Sequence, residues 1–251
     1  MFKNSIKRAL HKLGLGVYRL DGKYAEDGLT TVHSQSFRAA PGFAEAYARG
    51  IRASAGHDPR IEWRVHVALW AAQSSLRVPG DFVECGVNAG LMSSAIMQYL
   101  DWSRIDRRFF LVDTFAGPKL EQFSEDEVRA DRSEIAMAAM NAGAYVTDFG
   151  KTLANFSEWP NAVVVRGAVP DVLPTISTET VAFLHIDMNC ALPEQAAFGY
   201  FWEKLSPGAV VLFDDYAYLG HDYQRRAIDR MASQFGRLVL SLPTGQGLLI
   251  R

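Results

Sequence analysis

Five apolar runs of strand character, alternating with helix-forming stretches, constrain this chain more than any other feature. DFVECGV (81–87), RFFLVDTF (108–115), NAVVVRG (161–167), VAFLHID (181–187) and SPGAVVLFDDY (206–216) are rich in Val, Leu and Phe. Interleaved with them are LMSSAIMQYL (91–100), an acidic stretch from about Ser124 to Ala142, PEQAAFGYFWEKL (193–205, with Pro at its start) and HDYQRRAIDRMASQF (221–235). A further strong helix, IEWRVHVALWAAQSSL (61–76), precedes the first strand and stops at Val78-Pro79-Gly80. Strands that read as near-continuous apolar runs are covered on both faces. Alternation with helices then predicts a parallel, doubly wound α/β sheet. RLVLSL and GLLIR flank Pro-Thr-Gly-Gln-Gly and predict a terminal hairpin that adds an antiparallel strand.

At 251 residues the chain accommodates one such domain, assigned to residues 61–251, and an N-terminal segment, residues 1–60. Within that segment Phe2, Ile6, Leu10 and Leu13 fall on one face of a helix over 2–14, and Lys3, Lys7, Arg8, Lys12 and Arg19 precede the first acid, Asp21. Two readings stand. One is docking on an anionic membrane surface or a partner. The other, preferred because interfacial binding needs more apolar area, is packing on its own domain or a second subunit. Residues 21–60, with a helical piece near Phe43–Ala48, read as lid or oligomerisation material, and a homo-oligomer is expected.

The net charge of −2 argues against a nucleic-acid-binding protein. No run of about 18 apolar residues is present, so no membrane-crossing helix is expected. Cys85 and Cys190 make neither a disulfide scaffold nor a zinc pattern. The reading is a cytoplasmic protein, with the inner face of the membrane as the site if the basic helix docks there.

In an open α/β sheet, ligands bind beyond the carboxyl ends of the strands. Those ends are rich in acids, glycines and amides: Glu84-Cys85-Gly86 with Gly90 four residues on, Asp113-Thr114, Arg166-Gly167, Asp187-Met188-Asn189 and Asp214-Asp215. Gly86 and Gly90 allow a tight turn and a close ligand, but their spacing is not the G-x-G-x-x-G dinucleotide pattern. Asp113, 29 residues after Glu84, stands where a carboxylate takes both hydroxyls of a ribose. Asp187 and Asp214-Asp215 converge if their strands are neighbours, about 5 Å apart. Three such carboxylates must protonate, pair with cations or bind a hard metal such as Mg²⁺. The competing reading has Arg225 or Arg226 neutralise one of them. His185 shares a strand face with Asp187 and reads as a buried, hydrogen-bonded histidine. His221, opening the last helix, is a second candidate base beside Asp187. Gln246, in the hairpin turn, has no clear role.

The segments PGDFVECGVNAG, FFLVDTFAGP, VVRGAVPDVLP, HIDMN and LSPGAVVLFDDY resemble the macrocin O-methyltransferase family of class I S-adenosylmethionine-dependent methyltransferases. The gap of 27 residues from Asp187 to Asp214 matches that family. The resemblance covers roughly residues 60–251 and implies a Rossmann-like seven-stranded sheet of order 3-2-1-4-5-7-6 with its last strand antiparallel. It implies S-adenosylmethionine held by Glu84, Gly86, Gly90, Asp113, Thr114 and Gly167. It also implies Mg²⁺ or Mn²⁺ on Asp187, Asp214 and Asp215, and methylation of a hydroxyl on a sugar, in a glycan or a glycosylated natural product. A catechol or other diol, or a cofactor-binding scaffold without turnover, are the alternatives. The chain departs from the family after Asp187: Met188-Asn189-Cys190 replaces the usual Gly-Asp and Tyr-Glu-Ser-Thr, and Cys190 stands where some relatives place a histidine.

Overall fold

The computed structural model describes residue 8, residues 10–14 and residues 23–251. Most of the helix expected over 2–14, including Phe2 and Ile6, lies outside the described residues. Among the described residues no helix is long and apolar enough to cross a membrane.

The strands are β1 (Tyr24–Glu26), β2 (Leu29–Thr31), β3 (Asp81–Cys85), β4 (Phe109–Asp113), β5 (Ala162–Arg166), β6 (Val181–Ile186), β7 (Leu205–Phe213), β8 (Leu240–Ser241) and β9 (Gly247–Ile250). The helices are α1 (Pro41–Ala53), α2 (Glu62–Ser75), α3 (Leu91–Leu100), α4 (Glu125–Arg129), α5 (Arg132–Asn141), α6 (Phe149–Asn155), α7 (Ala191–Trp202) and α8 (Asp222–Gln234).

Seven strands form one sheet in the order β5-β4-β3-β6-β7-β9-β8. Numbered among themselves, they run 3-2-1-4-5-7-6, the order the resemblance implied. β3 pairs in parallel with β4 and with β6, β5 extends the sheet beyond β4, and β7 extends it beyond β6. β9 runs antiparallel to both β7 and β8. The chain leaves β3 toward one edge through β4 and later returns beside β3 as β6. That reversal opens a crevice beyond the carboxyl end of β3, where ligands of doubly wound sheets sit.

Alternation along each strand feeds two cores. Phe82, Phe109 and Phe183 point to one side, against Phe43, Leu69, Met97 and Trp102. Val83, Leu184 and Val211 point to the other, against Phe198, Phe201, Trp202 and Ile228. Each fully buried side chain of this size stabilises the fold by roughly 2 kcal/mol, which is why every residue of β6 is apolar save His185.

Three local features differ from the sequence reading. Residues 24–31 form a hairpin whose two turn residues, Asp27 (φ 51°) and Gly28 (φ 71°), are both left-handed. This is the Asp-Gly turn that matches strand twist. The acidic stretch after Ser124 is two helices, broken where Asp131 turns left-handed (φ 58°). A further short helix, α6, is capped by Asp148, whose side chain accepts a hydrogen bond from the Lys151 N–H.

Candidate active site

The loop after β3 is shaped by what cannot fit there. Gly86 has φ +93°, and a Cβ on it would overlap the backbone carbonyl of Asp187 at the end of β6. The two strand ends therefore touch backbone to backbone, and only glycine permits it. Gly90 (φ +88°) precedes α3, and a Cβ there would come within 2.5 Å of the Phe156 ring. Between them the chain presents two N–H groups, of Val87 and Asn88, to one oxygen of Asp113 at 2.8 Å each. The other Asp113 oxygen accepts from the Phe115 N–H at 2.7 Å. Thr114 Oγ1 lies 3.3 Å from that second oxygen. Asp113 thus pins the β3–α3 loop to the end of β4 at the cleft wall.

That cleft, roughly 650 Å³ with its open solvent, runs over the ends of β3, β4, β5 and β6. Gly86, Asp113, Thr114 and Gly167 line it, together with Val169, Gln122 and Asp187-Met188-Asn189. Gly90 lies at the base of the loop, outside the lining. Glu84 does not face the cleft either. It is buried inside the sheet and paired across strands with His185, whose Nδ1 stands 2.9 Å from its Oε1. Glu84, expected among the cofactor contacts, thus lies behind the cleft lining, because the pleat of β3 turns it into the sheet.

A roof closes part of the cleft. The Asn88 side chain donates to the Ala144 carbonyl at 3.2 Å and accepts from the Val146 N–H at 2.7 Å. The two bonds bracket Tyr145, which joins the cleft lining. Burial and the charge of Asp187 push the Tyr145 phenol up to about 12, so it stays a neutral donor. Nothing in the sequence marked Asn88 or Tyr145 for this role, because the bracket depends on a loop some 56 residues away.

The acid cluster sits beside the roof. β6 and β7 pair with Ile186 opposite Phe213, so the next residues along, Asp187 and Asp214, lie side by side. Asp214 and Asp215 are buried. Their charge is met by Arg64 of α2, whose Nη1 donates to Asp214 Oδ2 at 2.6 Å and to Asp215 Oδ1 at 3.1 Å. The same guanidinium grips Asp27, in the β1–β2 turn, through Nε at 2.7 Å and Nη2 at 3.2 Å. It also lies 4.6 Å from the centre of the Tyr218 ring. The second oxygen of Asp214 accepts from Gln246 Nε2 at 2.8 Å and stands 3.6 Å from His185 Nε2. Arg225 and Arg226, the neutralising groups of the competing reading, instead bond Asp222.

These contacts set the charges. Burial alone would raise the Asp214 carboxyl, but Arg64, His185 and Gln246 hold it well below the usual carboxylate range. Burial pulls the His185 imidazole down, yet Glu84, bonded to its Nδ1, and the Asp214 carboxylate 3.6 Å from its Nε2 push it up to about 10, so it is a buried imidazolium at neutral pH. Asp187 behaves oppositely: burial, then the neighbouring Asp214 and Asp215, raise it well above the usual range. His221 is lowered, mainly by burial. Its Nε2 lies 2.9 Å from the Arg132 guanidinium, which occupies the lone pair a base would use.

The expected divalent ion does not fit this arrangement. A resident ion needs free carboxylate oxygens. Both oxygens of Asp214 and one of Asp215 already take hydrogen bonds from Arg64 and Gln246. Among the described residues no three His, Cys, Asp or Glu side chains are arranged to hold a metal.

Comparison with known proteins agrees with the cleft. The model of the macrocin-O-methyltransferase (TylF) family matches residues 66–235. The 8-demethyl-8-(2,3-dimethoxy-alpha-L-rhamnosyl)-tetracenomycin-C 4'-O-methyltransferase of Streptomyces olivaceus is 30% identical over 160 residues, 59% of each chain. The chain thus spans about three fifths of that relative. Among solved structures, the O-methyltransferase NovP superposes with TM-score 0.62 at 23% identity, covering 75% of this chain and 79% of that one. The calicheamicin methyltransferase CalS11 superposes with TM-score 0.54 at 17% identity, covering 88% and 98%. These two show the shared fold. The matched stretch runs from α2 to the end of α8 and takes in every strand end that lines the cleft, so the chain belongs to the macrocin-O-methyltransferase family of S-adenosylmethionine-dependent O-methyltransferases.

Proposed function

We propose that this protein transfers a methyl group from S-adenosylmethionine to a hydroxyl of a sugar in the making of a glycosylated product. The observation that carries the chemistry is Asp187: a carboxylate of raised pKa on the cleft wall, in backbone contact with the loop that would hold the cofactor. The sugar is supported by relatives. The Streptomyces olivaceus protein is named for a 4'-hydroxyl on a rhamnosyl group. A second CalS11 structure is described as a TDP-rhamnose 3'-O-methyltransferase.

The residues fit the cofactor. The cradle at Gly86 admits nothing larger than a hydrogen, and Asp113 stands on the cleft wall at the end of β4, where a ribose would lie. Gly167 and Val169 offer an apolar floor for a base at the β5 end. S-adenosylmethionine, when bound, supplies an electrophilic methyl on a sulfonium. The chain must then aim one hydroxyl oxygen at that carbon and remove its proton. Asp187 takes the proton as the oxygen–methyl bond forms and the sulfur–methyl bond breaks, then releases it to solvent. Burial and the neighbouring Asp214 and Asp215 raise the Asp187 carboxyl above the ordinary carboxylate range, which makes it the stronger base. Tyr145 donates toward the acceptor from the roof. No step runs through a metal.

Incubation with methyl-labelled S-adenosylmethionine and a set of rhamnosides, TDP-rhamnose and catechol tests the reading. Label on a deoxysugar is expected. Label on catechol alone would favour the small-diol alternative, and cofactor binding without label on any acceptor would favour a scaffold.

A further inference from the structure

We propose that Arg64 is the resident cation of the acceptor side of this cleft, so that the acid cluster works with a guanidinium where the family resemblance implied a divalent metal. The inference rests on the methyltransferase reading only for what the cluster is used for, not for what occupies it.

The arginine is built in, not merely nearby. Its fork is divided among three carboxylates. Nη1 serves the Asp214-Asp215 pair, while Nε and Nη2 engage Asp27 in a two-point contact. Bidentate geometry of this kind fixes a guanidinium in place, which a flexible ammonium does not do. Tyr218 stacks on it, and the Arg64 carbonyl accepts from the same Gln246 amide that holds Asp214, at 3.5 Å. Arg64 and Asp214 are both buried. A buried pair of acids with no cation would be strongly destabilising, and Arg64 supplies that charge to both.

The parts come from outside the matched family stretch. Asp27, Arg64 and Gln246 all fall outside residues 66–235. The β1–β2 hairpin therefore has a function: it carries Asp27 to the open side of Arg64. Arg64 is a positioning residue. It touches Asp214 and Asp215, sets their orientation, and leaves Asp187 as the carboxylate on the cleft wall that is free of such bonds.

The test is cation binding without turnover. Wild-type protein is titrated with Mn²⁺ by electron paramagnetic resonance and by thermal melting, alongside R64Q, D214N and the double variant R64Q/D214N. Wild type is expected to bind no Mn²⁺ and to melt at the same temperature with and without it. R64Q is expected to melt lower, to gain one bound Mn²⁺ per chain and to recover its melting temperature with the ion. R64Q/D214N is expected to lose that gain. One Mn²⁺ bound to wild type and lost in D214N would overturn the proposal, and this arm stands even if R64Q does not fold. A folded R64Q that ignores Mn²⁺ would overturn it too. Neither arm needs an acceptor, so failure here is distinct from failure to find a sugar substrate.

Discussion

Replacing Asp113 with Asn changes one atom, removes one charge and breaks a three-point hold on the backbone. The carboxylate accepts three backbone N–H groups, from Val87, Asn88 and Phe115. The amide keeps a single acceptor oxygen. In its better orientation that oxygen still serves Val87 and Asn88, and the amide nitrogen then faces the Phe115 N–H donor to donor. At least one charged-acceptor hydrogen bond is lost and two are weakened, each worth about 1.5–3 kcal/mol. Asn88 is open to solvent, which favours the lower end, so a net cost of about 2 kcal/mol is expected. The same loop is the proposed cofactor cradle, and a loss of that size at the ligand weakens S-adenosylhomocysteine about 30-fold. Calorimetric titration measures this directly. Asp81→Asn is the control: Asp81 also accepts a backbone N–H, from Arg108 at 2.9 Å, but at the opposite end of β3. It should lower stability and leave the affinity alone. An Asp113→Asn affinity within about twofold of wild type would refute the pinning role, since even one lost charged-acceptor bond exceeds that.

Gly86→Ala should abolish S-adenosylhomocysteine binding and cost about 2–4 kcal/mol in urea unfolding, because the added methyl meets the Asp187 backbone and cannot move aside. Asp187→Asn should lower kcat by about 10²–10⁴ with cofactor affinity intact, and the wild-type rate should rise with pH at values above the ordinary carboxylate range, since burial and Asp214 raise Asp187. Stability should depend on pH at both ends. His185 is raised in the fold to about 10, so its contribution is full below the unfolded value near 6.5 and is lost as pH rises through about 10. That difference is worth at most about 5 kcal/mol. Asp214 is lowered, so its contribution is present above the unfolded value near 3.9 and is lost as pH falls through the folded one. Urea midpoints of wild type and His185→Gln from about pH 6 to 10.5 check the alkaline limb, which the variant should lack. Asn88→Ala should raise the KM of the cofactor while changing stability little, because it frees the Ala144–Val146 roof.

The sheet was legible because a strand covered on both faces has to be apolar throughout, and such runs stand out beside helices of mixed polarity. The strand ends were legible for the same reason, since each run stops at an acid or a glycine. Hence the convergence of Asp187 with Asp214 could be anticipated before the register of β6 on β7 was known. Glu84 shows the limit. It too ends an apolar run, but it is opposite His185 in the β3–β6 register, and only that pairing reveals that it points inward. Arg64 could not be read at all. It is one arginine of a helix, 150 residues from its partner Asp214. Asp27-Gly28 was legible in principle as a hairpin turn, but three-residue strands carry too little pattern to be seen. His221 was nominated by its place at the start of a helix after the Asp-Asp pair, and the arginine that takes its Nε2 comes from α5, a helix the sequence placed nowhere near it.

Methyl transfer itself, run in EDTA on the deoxysugar acceptors with wild type and Asp187→Asn side by side, probes the metal-free, Asp187-based chemistry head-on. Label should reach the sugar at the same rate with EDTA as with added Mg²⁺, and at a rate lower by about 10²–10⁴ in the variant. Transfer that requires Mg²⁺, or that proceeds unchanged without the Asp187 carboxylate, would contradict that chemistry.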